Sequence, residues 1–352
     1  MVYVTCLEIP PRLATVSADF VAGGHLAMNS DKIAIECRIC GSAHTMCLPV
    51  GQYADFFRLR VDVSRDPHRL FSREVALLKP NASFALRAIR KIARLTGLTG
   101  RGQPHEFRTS MTICVDCHAV TPAHEYSFGE LSGLYRDYRS ETYNRDRISV
   151  EPGYAKIAKA VGEHPLEVVN RNSAVDAFLR KNAAQFSGGH MIDYGGSDGR
   201  FLTPFMIEVF DAISIFEPSD APLHASVVSS KVSKTASPEL SCYAFLACMH
   251  VLEHVGSPRN FVIEAMRYVV PGGLAYIEVP LELTDRQHQD LNERIVDYPF
   301  VIHEHLNRFD RLSLPKLVQS VQGLELVDST EEVVEMGWAS GLIGRYLVRR
   351  AA

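Results

Sequence analysis

The chain has 352 residues, 46% of them hydrophobic and 22% charged, with a formal net charge of −4. This composition excludes a disordered chain and gives enough length for two domains. A slightly acidic balance makes nucleic acid an unexpected partner. There is no run of about 20 apolar residues to cross a bilayer and no basic, then apolar, then small-residue signal at the start, so the expected compartment is cytoplasmic.

Residues 1–36 show weak periodicity, broken at Pro10-Pro11, and read as a lead-in. Cys37-Arg38-Ile39-Cys40-Gly41 then places two thiols three positions apart around a tight turn, and Cys114-Val115-Asp116-Cys117 repeats the spacing. In a chain without an export signal, such pairs point to a metal before disulfides. Cys37, Cys40, Cys114 and Cys117 would satisfy one closed tetrahedral site for structural zinc, with His44 a spare candidate beside the first pair. Residues 37–128 are read as this zinc-binding module, with an insertion between the pairs. Inside the insertion, Ala85, Ala88, Ile89, Ile92 and Leu95 share a helical face, and Arg87, Arg90, Lys91 and Arg94 lie opposite. The spacing predicts a basic amphipathic helix over 84–95, its basic face either solvated or in peripheral contact with an anionic surface.

Residues 129–187 have helical periodicity and read as a bridge. Tyr135, Tyr138 and Tyr143 lie among Arg136, Arg139, Arg145 and Arg147, as packed Arg stems over aromatic rings or as the lining of an anionic pocket. Residues 188–352 alternate strand and helix patterns, which predicts a parallel sheet. The expected strands are Met191–Gly195, Ala212–Glu217, Tyr243–Met249, Leu274–Pro280, Leu324–Asp328 and Tyr346–Arg349. The expected helices are Pro258–Val270 and Arg308–Val321.

The chemistry concentrates at Asp193-Tyr194-Gly195-Gly196-Ser197-Asp198-Gly199, where a strand runs into a glycine-rich turn and a helix. Glycines let a backbone approach a ligand closely, and free amides there favour an anionic group. A dinucleotide site looks much the same, so the loop alone does not decide. Glu217, at the tip of the next strand in Ile215-Phe216-Glu217-Pro218, suits the two hydroxyls of a ribose. His250-Val251-Leu252-Glu253-His254 follows the central strand, and Val270-Pro271-Gly272-Gly273 precedes the next.

These four stretches, in this order over residues 190–330, resemble class I S-adenosylmethionine-dependent methyltransferases. The resemblance implies an α/β fold, a Rossmann-like methyltransferase sheet with an N-terminal zinc-knuckle module. It implies a cofactor site at Asp193, Gly195, Gly196, Ser197, Gly199, Glu217 and His250, with Asp193 shaping the loop by hydrogen bonding. Ser197 stands where the family has its middle glycine, and a helix usual after Glu217 is replaced by a short polar stretch. The layout also resembles sugar C-methyltransferases with an N-terminal zinc-binding domain, through Cys37-Arg38-Ile39-Cys40-Gly41-Ser42 and Cys114/Cys117. That narrower group carries a Tyr-His-Glu-His segment, here Ile302-His303-Glu304-His305, which contributes a base to sugar methylation.

His305 is accordingly the first catalytic candidate and His250 the second; an unperturbed imidazole is available as a base near neutral pH. Glu304, on an extended segment, points away from both neighbouring histidines. His254 reads as a helix-surface or capping residue. The expected activity is methyl transfer to a small molecule, a sugar or nucleotide-sugar, on carbon or oxygen. The rival readings are a non-catalytic scaffold of the same fold, a nicotinamide-dependent oxidoreductase, whose Gly-x-Gly-x-x-Gly spacing is absent here, and RNA methylation.

Overall fold

The computed structural model describes residues 35–68, 108–138, 140–218, 222–227, 229–283 and 300–352. The expected lead-in up to residue 34, the basic helix over 84–95 and Arg139 lie outside the described residues. Among the described residues no helix is long and apolar enough to cross a membrane.

Two sheets organise the chain. The smaller comprises β1 (Thr45–Tyr53), β2 (Arg108–Cys114), β3 (Val120–Pro122) and β9 (Phe300–Ile302), in the order β3-β2-β1-β9. The larger comprises β4 (His190–Tyr194), β5 (Ala212–Phe216), β6 (Val232–Thr235), β7 (Tyr243–Met249), β8 (Val269–Pro280), β10 (Leu324–Glu335) and β11 (Ser340–Arg350), in the order β10-β11-β8-β7-β4-β5-β6. Strands β6, β5, β4, β7 and β8 run parallel, and β11 is antiparallel to both β8 and β10. The central β7, apolar and almost wholly buried, has the composition of a strand covered on both faces. Chain order reverses between β4 and β7. In an open α/β sheet the crevice at the carboxyl ends of two such strands is where ligands bind.

The helices are α1 (Asp55–Arg60), α2 (Phe128–Tyr135), α3 (Glu141–Val150), α4 (Pro165–Lys181), α5 (Pro204–Val209), α6 (Pro258–Met266) and α7 (Ser313–Ser320). Residues 129–187 hold most of α2 with α3 and α4, and α4 packs on the large sheet: Phe178 and Leu179 join the core with Met191, Phe245 and Leu347. Ser127 caps α2 in a reciprocal box with Glu130, whose side chain returns to the Ser127 N–H.

Several boundaries differ from the sequence reading. The helix expected over Pro258–Val270 ends at Met266, and Pro271-Gly272-Gly273 lies within β8 as a bulge, between the pairs Tyr243–Val269 and Phe245–Leu274. The helix expected from Arg308 starts at Ser313. Strands β10 and β11 run well beyond Leu324–Asp328 and Tyr346–Arg349. The outer β10 is solvated and carries Glu331, Glu332 and Glu335, so its charges masked the alternation. Edge strand β6 and the small sheet were not foreseen. Both have short or partly polar strands that give little periodic signal.

The two sheets share a continuous interior. Cys37, Ile39, Cys114 and Cys117 are buried in one cluster with Ile192, Leu246, Leu252, Val262 and Leu317. A second cluster joins Phe56, Phe57, Leu131, Leu134 and Tyr143 to Phe300, Ile302 and Leu306. Each large side chain so buried contributes roughly 1.5–3 kcal/mol relative to exposure.

Beneath the large sheet's rim sits a buried ion network. Glu278 on β8 is opposite Arg345 on β11 in the strand register. It accepts from Arg345 Nε at 3.1 Å, Arg171 Nη2 at 3.0 Å and the Tyr276 hydroxyl at 2.8 Å. Glu278 and Arg345 are both fully buried. Removing one partner of such a network strands the others without water. Glu278→Ala is expected to lower the unfolding free energy by about 3–5 kcal/mol, read by chemical denaturation. An unchanged midpoint would show that Arg171 and Arg345 find other partners.

Candidate functional site

Strand β4 leads into the glycine turn at the switch point. Gly195 has φ +84°, and a Cβ there would lie 2.6 Å from Val251 Cγ2, so both backbone and space require glycine. Its N–H donates to the Phe216 carbonyl at 2.8 Å, tying the turn to the end of β5. Ser197, at φ +51°, takes a left-handed conformation that favours the glycine it replaces. Gly199 is also left-handed, and its N–H donates to the Gly196 carbonyl at 2.8 Å. Glu217 lies beside the turn, half-buried, and its Oε2 accepts from the Ser197 N–H at 3.2 Å. The sequence reading thus brings Gly195, Gly196, Ser197, Gly199 and Glu217 together.

Two details differ. The turn does not enter a helix directly; residues 200–203 intervene, and α5 starts at Pro204 under a Thr203 cap. Nor does Asp193 hold the loop through Oδ2, which accepts no hydrogen bond among the described residues. Its role is steric: it fills the space that a Cβ on Gly196 would need. Burial, with the like charges of Glu217 and Asp198, pushes the Asp193 carboxyl up to about 7.

His250 caps β7 on the same edge, at φ +56°. Its N–H donates to the Glu278 carbonyl at 2.9 Å. Its Nδ1 contacts Glu253 Oε1 at 3.0 Å, and its Nε2 lies 3.0 Å from Glu278 Oε1 without an aligned hydrogen bond. The ring is therefore clamped between two fully buried carboxylates, an arrangement that positions it more than it frees it as a base. Burial opposes charge on Glu253, yet the His250 contact outweighs it and holds that carboxyl down at about 2.

The Ile302-His303-Glu304-His305 segment arrives from the other sheet. β9 pairs in parallel with β1, and the Ile302 carbonyl accepts from the Ala54 N–H at 3.0 Å. Beyond it, the Leu306 and Asn307 N–H groups donate to the Glu253 carbonyl at 2.8 and 3.1 Å. Asn307 Nδ2 donates to the carbonyls of Leu252 and Val255 at 2.9 and 2.6 Å. His305 is thus laid over the turn at 252–255.

The two histidines of this segment face opposite ways, and Glu304 turns from His305. His303 Nδ1 lies 3.4 Å from Glu151 Oε1. The buried Glu304 carboxylate accepts from Arg147 Nη1 at 2.6 Å and from the Tyr143 hydroxyl. Tyr143 and Arg147 therefore anchor this loop from α3 and do not line an anionic pocket.

His305 is 7% exposed, and its Nδ1 contacts Glu282 Oε1 at 2.8 Å. Glu282 also meets Arg308 Nη1 at 3.3 Å. The His305 Nε2 is buried and has no partner among the described residues. Burial alone would lower the pKa of this imidazole; the charge and hydrogen bond of Glu282, with Glu253 behind, outweigh it and raise the pKa above its ordinary value. Glu282 was missed in the sequence, where it is one more acid two residues beyond the end of β8.

His254 is not the surface residue expected. Its ring crosses that of His305 edge to face, 4.9 Å between centroids at 81°. Its Nδ1 contacts the Glu304 carbonyl at 3.0 Å, a carbonyl that also accepts from the Tyr135 hydroxyl at 2.9 Å. Burial holds its pKa down at about 3, so the ring is neutral.

On the opposite flank the four cysteines converge. Cys37 and Cys117 have their Sγ atoms 3.7 Å apart, Cys40 and Cys114 3.6 Å, and all four lie within 4.8 Å of one another. Tetrahedral thiolates at about 2.3 Å from zinc would be about 3.7–3.8 Å apart, so these residues fit the ion. The Cys37 N–H donates to Ser42 O, and Gly41 at φ +74° returns its N–H to Cys37 O, each at 2.8 Å. His44 stands outside the group; its exposed ring turns to Asp116 at 3.2 Å.

Residues 169–329 match a family model described as a methyltransferase domain, from within α4 to within β10. The chain carries a methyltransferase domain, and it is a methyltransferase. No curated protein sequence matches it. Among solved structures it is similar to a SAM-dependent methyltransferase from Leishmania major, with 11% identity over 54% of this chain and 76% of that one and a TM-score of 0.42. It is also similar to the 1,6-didemethyltoxoflavin-N1-methyltransferase of Burkholderia thailandensis, solved with S-adenosylhomocysteine, with 12% identity, 68% and 98% coverage and a TM-score of 0.43. A third similarity is to an S-adenosylmethionine-dependent methyltransferase from Mesorhizobium loti, with 14% identity, 49% and 96% coverage and a TM-score of 0.36.

Proposed function

We propose that the chain transfers a methyl group from S-adenosylmethionine to a hydroxyl or an activated carbon of a small molecule, a sugar or nucleotide-sugar. The observation that carries this reading is the pairing of two features on one sheet edge. The turn at 195–199 sits beside Glu217, and across the switch point His305 presents a buried, unpartnered Nε2.

S-adenosylmethionine supplies a methyl on a sulfonium centre, which makes it transferable by in-line displacement. Gly195, Ser197 and Gly199 spend their N–H groups inside the fold, so the amides of Gly196 and Asp198 would take its carboxylate end, and Glu217 would take the ribose hydroxyls. His250, clamped by Glu253 and Glu278, fixes the wall between cofactor and acceptor. The His305 Nδ1–H donates to Glu282, which sets the tautomer and leaves the Nε2 lone pair to accept the acceptor's proton. Most of the rate then comes from alignment. The four cysteines hold structural zinc, which takes no part in the chemistry.

Glu217→Ala removes hydrogen bonds to a charged acceptor, each about 1.5–3 kcal/mol. The affinity for S-adenosylmethionine is expected to fall roughly ten- to a hundred-fold in calorimetry, and unchanged affinity would take Glu217 out of the site.

Metal analysis of protein purified without chelators is expected to give one zinc per chain. Because the cysteines share a core with the large sheet, Cys114→Ser should lose the zinc and also lower the unfolding temperature of the whole chain, not of the first 128 residues alone. Metal-free wild-type protein with the same unfolding temperature would contradict this.

The base acts only when neutral, and its pKa lies above the ordinary value of 6.5. Turnover on an acceptor found by mass spectrometry over a nucleotide-sugar panel should therefore fall as pH drops through a midpoint above 6.5. In Glu282→Gln the raising charge is gone and burial dominates, so the midpoint should move to lower pH. His305→Ala should reduce turnover about 10²–10⁴-fold with cofactor affinity intact. A midpoint that ignores Glu282→Gln would remove His305 as the titrating group.

A further inference from the structure

The rim of the proposed acceptor site gathers more donors than a single base needs. Glu253, His254 and His305 each offer one ligand atom, and these atoms all lie within 4.8 Å of one another. Glu253 is fully buried and His305 is 7% exposed. Both keep a buried polar atom without a partner among the described residues, Oε2 of Glu253 and Nε2 of His305. Two unsatisfied buried acceptors on side chains this close together are costly in a folded chain unless something pairs with them.

The tautomers are set for that purpose. The outward nitrogen of each histidine is occupied by an acceptor: His305 Nδ1 by Glu282 at 2.8 Å, and His254 Nδ1 by the Glu304 carbonyl at 3.0 Å. Each Nδ1 therefore carries the proton, and each Nε2 keeps its lone pair. His254 Nε2 faces Glu253, 4.0 Å from Oε1. A carboxylate behind one ring and a backbone carbonyl behind the other is how metal-ligating imidazoles are held. Two imidazoles with one carboxylate, leaving open positions, suit divalent first-row transition ions. Ligands at about 2.0–2.2 Å from one ion stand about 3–3.4 Å apart, so binding draws donors that lie within 4.8 Å of one another in by about 1.8 Å at most, within the reach of side-chain rotation.

We propose that Glu253, His254 and His305 form a second metal site, for a divalent first-row transition ion, and that filling it blocks methyl transfer by taking the His305 Nε2 lone pair. The ion-binding half stands on geometry alone. The blocking half rests on the reading of His305 as the base. The site is separate from the cysteine cluster in place and chemistry, nitrogen and oxygen against sulfur, and the two can be filled in turn.

The test starts from full-length protein carrying one zinc on its cysteines, titrated with Co²⁺ and followed by calorimetry and visible d–d absorption. One further equivalent is expected to bind, with the absorption of a nitrogen–oxygen site and no thiolate charge-transfer band. His254→Ala and His305→Ala, each checked for native circular dichroism, should weaken that binding at least ten-fold. Absence of a second equivalent in wild-type protein, or wild-type affinity kept in both variants, overturns the site. Turnover at rising Co²⁺ occupancy decides the second half: loss in proportion to the occupied fraction supports blocking, and unchanged or increased turnover overturns it while leaving the site. Failure of the parent reading is distinct, since a chain that does not bind S-adenosylmethionine still gives a clear answer in the Co²⁺ titration.

Discussion

Glu253 is a fully buried carboxylate at the point where three parts of the chain meet. Its side chain holds His250 at the end of the central strand. Its carbonyl takes the two N–H groups that lay Leu306 and Asn307 across it. An ionised group at such a depth persists only when paired, so its partners are fixed as firmly as it is. In the proposed reading those partners form the wall between the cofactor turn and the acceptor side. Tilting the 252–255 turn would displace His250, His254 and His305 together.

The small sheet gains its functional meaning from the same junction. Strand β9 belongs in sequence to the methyltransferase half, yet it pairs with β1 of the N-terminal half. Glu304 then reaches Arg147 on α3, whose guanidinium stacks on Tyr154 at 4.1 Å. The loop bearing His305 is thus held from the N-terminal side by a strand pairing and a buried ion pair. The cysteine cluster lies against α6, where the Arg259 N–H donates to the Arg38 carbonyl at 2.9 Å. On this geometry the N-terminal part, cysteine cluster included, braces the loop that carries His305.

The glycine turn, Glu217, the central strand and the cysteine pairs were legible in the sequence because each is a local signal. A turn needs glycine where its backbone is left-handed, a buried strand needs an unbroken apolar run, and a closed metal site needs a fixed spacing. Glu282 and the neutral, buried state of His254 were not legible, since both depend on contacts across long sequence separations. The network of Arg171, Glu278 and Arg345 escaped for the same reason: charged residues in a helix and two strands read as surface until the register places Arg345 opposite Glu278. Pro271-Gly272-Gly273 reads in sequence as the segment before a strand starting at Leu274, because proline and glycine interrupt an apolar pattern; the register places it inside β8 as a bulge. The steric role of Asp193 emerges only from the space beneath Gly196.

The central claim is that one sheet edge holds the methyl donor at 195–217 and turns its reactive centre toward His305. A crystal structure of the full chain with S-adenosylhomocysteine tests this most directly. The account predicts the ribose hydroxyls on Glu217, the amino-acid end against the 195–199 turn, and the sulfur facing the space before His305 Nε2. A cofactor bound elsewhere, or one whose sulfur faces away from the 252–255 turn and His305, would contradict it.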